Sequence, residues 1–135
     1  MPERGPQQSP EELFGELRAI MARLRSPDGC PWDREQHLSD LGGYILEEAE
    51  EAAEAISKGD PEHMAEELGD LIFNIIFAAR IGEEEGTFDM AQVLAGIRDK
   101  MVRRHPHVFG DAEASTPAEV LVHWNRAKDQ EKRKG

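Results

Sequence analysis

Between Pro61 and Gly82 the chain carries Leu68, Leu71, Ile72, Phe73, Ile75, Ile76 and Phe77. At about 100° per residue these side chains cover nearly the whole circumference of a helix. A narrow polar stripe runs through this shell: His63, Glu67, Asp70 and Asn74 fall within roughly 60° of Glu67. A helix of this kind needs apolar neighbours on most sides and something that satisfies its polar stripe. It is therefore expected to be the most buried helix of the molecule.

The rest of the sequence supplies helical neighbours and no segment with sustained strand-like alternation. Ser9-Pro10-Glu11-Glu12 has the residues of a helix start, and Leu13, Leu17, Ile20 and Leu24 follow as an apolar stripe. An irregular stretch, Cys30-Pro31-Trp32-Asp33, precedes a second helix from near Ser39 or Asp40 to about Lys58. Gly59-Asp60-Pro61 ends that helix and caps the next, expected over Pro61–Gly82. A fourth is expected from about Asp89 to Arg104, ended by Pro106, and a last one starts at Thr116-Pro117-Ala118-Glu119. The expectation is an all-α fold resembling a four-helix bundle, with a short additional C-terminal helix. It is read as one domain over residues 1–135, with its core in 9–130 and flexible ends at 1–8 and 131–135.

Within 135 residues the net charge is −12, and residues 47–70 alone hold ten acids and one base, Lys58. Such acidity argues against non-specific nucleic-acid binding. One cysteine, Cys30, allows no internal disulfide and no Cys-rich zinc site. The absence of a long apolar run argues against a membrane span, and the N-terminus lacks a signal-like stretch. A cytoplasmic protein is expected.

On a helical wheel of the second helix, Glu48 lies inside the apolar arc of Tyr44, Ile45, Ala52 and Ala55, with Glu51 at its edge and Glu50 nearly opposite. Alone, the Glu47–Glu54 run reads most simply as a solvated face. Glu67 and Asp70 inside an apolar helix do not, because buried carboxylates are costly unless paired or bound to a cation. Two carboxylates three apart, Glu48 and Glu51, thus face two three apart on the next helix, Glu67 and Asp70. Oxygen ligands of this kind select hard ions, Mg²⁺ or Mn²⁺.

Glu47-Glu48-x-x-Glu51, a spacer of 15 residues and Glu67-x-x-Asp70 resemble the acidic motif of the MazG-type nucleoside triphosphate pyrophosphohydrolases. Cys30-Pro31-Trp32-Asp33-Arg34-Glu35-Gln36 and Arg103-Arg104-His105-Pro106-His107-Val108-Phe109 extend the likeness to roughly residues 10–130, most like the N-terminal half of two-domain members. The resemblance implies an all-α NTP pyrophosphatase fold and Mg²⁺-dependent hydrolysis of an NTP or dNTP to monophosphate and pyrophosphate, in nucleotide-pool housecleaning. It also implies a homodimer or homotetramer. It makes Glu48, Glu51, Glu67 and Asp70 the metal ligands, and Glu47 a carboxylate that binds a second ion or orients water. Glu47 or Glu51 would then be the catalytic group acting on that water. The chain departs from the family pattern at Gln36-His37-Leu38 and at Gly43, which bears on nucleotide preference and loop shape.

The same resemblance assigns Lys100, Arg103 and Arg104 to phosphate, and Trp124 with Lys128 to nucleotide. Trp32 either stacks on a base or staples the first loop to the bundle, and Asn74 is a candidate donor to the base or to a metal-bound water. His105 and His107 read as a helix-terminating segment. Three rivals stand beside this reading: a di-iron bundle protein, a non-enzymatic interaction module, and a dUTPase-like or damaged-nucleotide-specific enzyme. The first would want Glu-x-x-His, whereas His63-x-x-Glu66 has the order reversed.

Overall fold

The computed structural model describes residues 7–134 and is all-α: seven helices and no strand among the described residues. They are α1 (Pro10–Leu24), α2 (Pro31–Glu35), α3 (Leu38–Lys58), α4 (Pro61–Glu85), α5 (Met90–Arg104), α6 (Pro106–Phe109) and α7 (Pro117–Lys134). Two compact units divide at Met90, the first holding α1–α4 and the second nearly all of α5 with α6 and α7. No helix among the described residues is long and apolar enough to cross a membrane. The expected flexible ends fall partly on residues 1–6 and 135, outside the described residues, while α7 continues through Lys134.

Local chemistry sets the boundaries. The Ser9 hydroxyl accepts from the Glu12 N–H at 3.1 Å, and Pro10 supplies a preset first turn. At α3 the Asp40 carboxylate accepts from the His37 N–H at 2.8 Å, so the helix begins at Leu38, just before the expected start. Gly59 adopts φ +76°, a left-handed conformation natural to glycine, and sends its N–H back to the Ala55 and Ile56 carbonyls. Asp60 and Pro61 then start α4 at once. This two-residue joint folds α3 and α4 into a hairpin.

Three expectations are corrected. The stretch at Cys30–Asp33 is not wholly irregular, because Pro31 starts the short helix α2. Likewise Pro106 ends α5 but starts α6. Helix α4 runs past Gly82 to Glu85, ended by Gly86 at φ +73°. Gly82 is buried inside the helix because the Phe88 ring fills the space a side chain would need.

The core of the first unit joins Met21, Leu41, Ile76, Phe77, Ala79, Ile81 and Met90. Met21, Leu41 and Ile81 are fully enclosed, each contributing about 1.5–3 kcal/mol by leaving water. These residues come from late α1, the first turn of α3 and the C-terminal half of α4. The N-terminal half of α4 differs. Leu68, Ile72 and Ile75 are 41%, 45% and 39% exposed, so complete burial of this helix is not reached within one chain. Helices α3 and α1 cover only part of its circumference.

Candidate metal centre

The α3–α4 hairpin places Glu51 and Glu67 each about two turns from the joint, and Glu48 and Asp70 about three. Carboxylates from the two arms therefore meet at the same level. Donor oxygens of Glu48, Glu67 and Asp70 all lie within 4.8 Å of one another. Oxygens this close could share one hard divalent cation, whose bonds to oxygen run about 2.0–2.6 Å.

Two of these carboxylates have an oxygen that is buried and without a partner, Oε2 of Glu48 and Oε2 of Glu67. Buried polar atoms are ordinarily satisfied, so both oxygens call for a ligand. Burial raises the Glu48 carboxyl above its ordinary pKa, and the charges of Glu51, Asp70 and Glu67 raise it further. Glu67 is raised for the same first reason, then by the neighbouring Glu51 carboxylate and by the charge of Asp70. His63 partly opposes this, its Nε2 lying 3.3 Å from Glu67 Oε1. The acidic segment offers no other local base to the cluster, since Lys58 pairs with Glu54 at 3.0 Å. An all-oxygen set with two orphaned atoms, on the two carboxyls that are raised, Glu48 and Glu67, fits a hard divalent cation.

Glu51 is exposed and stands outside the converging trio, although close enough to perturb two of its members. Glu47 is also exposed. Asn74 uses its amide to donate to the Asp70 carbonyl at 2.9 Å, a link within α4 beside the trio. Trp32 is 53% exposed and packs its ring against Tyr44, centroid to centroid 5.7 Å.

Residues 36–109 match the model of the MazG nucleotide pyrophosphohydrolase domain, a span that contains all four acidic positions. The chain belongs to this family. Among relatives of this MazG-family chain, the nucleoside triphosphate pyrophosphohydrolase of Escherichia coli (strain K12) is 46% identical over 117 residues, covering 86% of the chain and 44% of the relative. The nucleoside triphosphate pyrophosphohydrolase/pyrophosphatase MazG of Thermotoga maritima is 44% identical over 122 residues, 90% of the chain and 46% of the relative. The uncharacterized protein YabN of Bacillus subtilis (strain 168) is 46% identical over 119 residues, 88% of the chain and 24% of that protein. The MazG-family chain thus spans less than half the length of these curated relatives. A crystal structure of a mazG-related protein from Thermotoga maritima superposes with a TM-score of 0.72 at 28% identity, covering 85% of the chain and 98% of that structure.

The remaining expected site residues of the MazG-family chain lie in its second unit. Arg104 and Arg103 converge on Glu131, with Arg104 Nη2 to Oε1 and Arg103 Nε to Oε2 both at 2.8 Å. The Arg104 guanidinium also lies 4.7 Å from the Trp124 ring centroid, joining two residues that the sequence paired only by function. Glu131 is held down to about 2, by Arg104 first and Arg103 next. Lys128 is exposed, and Lys100 is half-buried.

Two features escaped the sequence reading. His63 lies on the polar stripe, but nothing in its spacing shows that it braces Glu67. His105, His107 and His123 form a line of rings, with His105–His107 centroids 5.5 Å apart and His107–His123 5.9 Å. The His-Pro-His segment is thus packed into a ring cluster that also includes Trp124.

Proposed function

We propose that this chain hydrolyses nucleoside triphosphates, NTP or dNTP, to the monophosphate and pyrophosphate, with Mg²⁺ at the acidic cluster and Mn²⁺ as a substitute. The observation that carries the reading is the pair of orphaned buried oxygens on Glu48 and Glu67, converging with Asp70. Glu48, Glu67 and Asp70 would hold the ion, with Glu51 completing the set. When bound, such an ion neutralises phosphate charge and acidifies a water. Glu47 or Glu51, both solvent-facing, orients and deprotonates the water that attacks the α-phosphorus. Lys100, Arg103 and Arg104 supply cations for the phosphates, and Trp124 with Lys128 contacts the nucleotide. Trp32 and Asn74 serve the base. The names of the relatives from E. coli and T. maritima support the same chemistry.

The active form is a homodimer or homotetramer. Leu68, Ile72 and Ile75 lie at i, i+4 and i+7 of α4, an exposed apolar stripe on the helix that carries Glu67 and Asp70. A second copy of this face covers it. A cytoplasmic setting suits the free Cys30, and nucleotide-pool housecleaning suits the chemistry.

The test is product analysis with Mg²⁺ and a panel of NTPs and dNTPs that includes dUTP and oxidised or methylated dNTPs. Pyrophosphate and monophosphate in equal amounts are expected. Orthophosphate with nucleoside diphosphate, and no pyrophosphate, would sink the proposal. Turnover of dUTP alone, or of damaged nucleotides alone, would narrow it to a specialist.

A further inference from the structure

We propose that Arg25, anchored on Glu84, is a positioning residue that fixes α2 so that the exposed Trp32 indole stands ready as a platform for the nucleobase. The assignment rests on the nucleotide reading above.

Arg25 caps the end of α1, yet its side chain is only 9% exposed. Its guanidinium forms a two-point fork with Glu84, Nη2 to Oε1 at 2.5 Å and Nε to Oε2 at 3.2 Å. Nη1 donates to the Asp33 carbonyl at 2.6 Å and to the Gln36 carbonyl at 3.0 Å. The Phe77 ring lies beneath, 5.7 Å from the guanidinium carbon. Arg80 shares the Glu84 carboxylate, Nε to Oε2 at 3.0 Å. A planar five-donor group suits this task, and a lysine could not make the same set of bonds.

The two carbonyls gripped by Arg25 belong to the middle of α2 and to the residue that follows it. Gln36 passes the constraint on. It is 8% exposed, its amide donates to the Trp32 carbonyl at 2.9 Å, and its Oε1 accepts from the Tyr44 hydroxyl at 3.1 Å. A continuous chain therefore runs from Glu84 on α4, through Arg25 and Gln36, to Trp32 on α2 and Tyr44 on α3. Tyr44 lies one turn before Glu48, about 6 Å along the helix axis.

Through all of this Trp32 stays more than half exposed. A staple contributes by burying its ring, which Trp32 does only in part. A ring that is fixed at the backbone, tilted 40° against Tyr44 and still open to solvent is preorganised for a flat apolar ligand. Stacking on a base meets that description and tolerates any base, because each has a π-face.

The experiment uses the full chain with 5-fluorotryptophan at its two tryptophans, the Trp32 resonance being identified by its loss in Trp32→Phe. Arg25→Lys should raise KM for the nucleotide roughly tenfold, about the effect of one lost stack, with kcat within about twofold. It should shift and broaden the Trp32 signal and leave Mn²⁺ affinity unchanged. Glu84→Gln should do the same more weakly, and provides the test if Arg25→Lys folds poorly. Trp32→Ala should raise KM to a similar degree, and the double variant with Arg25→Lys should add nothing further. KM effects that multiply in the double variant overturn the proposal. So does a fall in kcat and Tm with KM and the Trp32 signal unmoved. A wild-type chain that releases no pyrophosphate overturns the nucleotide reading and this assignment with it, whereas turnover without the KM rise overturns this assignment alone.

Discussion

His63 Nε2 lies 3.3 Å from Glu67 Oε1, while Oε2 of the same carboxylate is buried without a partner. One oxygen is braced and the other is left for a ligand. Imidazoles and carboxylates arranged this way orient a metal ligand from behind. His63→Ala should therefore weaken Mn²⁺ binding about tenfold by titration calorimetry. Glu67→Gln should abolish both binding and turnover while far-UV circular dichroism stays nearly unchanged. Unaltered Mn²⁺ affinity in Glu67→Gln would remove Glu67 from the site.

Burial and neighbouring charge raise Glu48 and Glu67 in the folded chain above the ordinary carboxyl value. The folded state therefore holds protons more tightly than the unfolded one. Without metal, this contribution favours folding at pH below the unfolded value of 4.5 and is lost as pH rises through the raised folded values. A divalent cation bound as proposed would take the place of those protons. The gain in Tm on adding Mn²⁺ should thus be larger near pH 7.5 than near pH 5, in thermal scans with metal and with chelator. A gain independent of pH would argue against metal at these carboxylates.

Glu131 behaves in the opposite sense. Arg104, then Arg103, holds it at about 2, below the ordinary 4.5. Its pairing is intact above 4.5 and is lost as pH falls from there toward about 2. The last turns of α7 should lose amide protection across that window, as followed by NMR. Glu131→Gln should show the weakened protection already at neutral pH and flatten its acid dependence.

The stripe of Leu68, Ile72 and Ile75 gives a test of assembly. Ile72→Glu places a charge in the middle of the proposed contact between copies. Sedimentation equilibrium should show the wild type as a dimer or tetramer and this variant as a monomer of 15.1 kDa. A monomeric wild type would leave the stripe for another partner.

A Cβ at position 82 would fall 2.5 Å from the Phe88 ring. Gly82→Ala should therefore destabilise the first unit by about 1–3 kcal/mol in urea unfolding, despite the better helix propensity of alanine. Phe88→Leu in the same background should recover part of that loss.

The helices were legible because apolar spacing and caps are local. Ser9, Gly59-Asp60-Pro61 and Thr116 mark boundaries that the backbone follows closely. Gly82 misled because glycine signals a helix end only when nothing packs on it, and Phe88 does so from beyond the helix. The carboxylates were legible for a related reason. Their spacing on each arm is local, and the short joint leaves few ways to face the arms. Arg25 was not legible, since an arginine at the end of α1 shows no sign in sequence of Glu84, its partner 59 residues away. Nor was the fate of Arg104, whose partners Glu131 and Trp124 come from a different helix.

The joint at Gly59 and Asp60 has a consequence for how this chain can vary in length. Inserting one residue within either helical arm, between the joint and its carboxylates, would turn those carboxylates by about 100° relative to the other arm and part Glu67 and Asp70 from Glu48. Every side chain would survive, yet the three carboxylates would no longer converge. Point substitutions within the joint need only preserve a left-handed residue and a cap, whereas a single insertion or deletion within a helical arm breaks the alignment of the two arms. Each arm is a gauge: tolerant of spelling, intolerant of count.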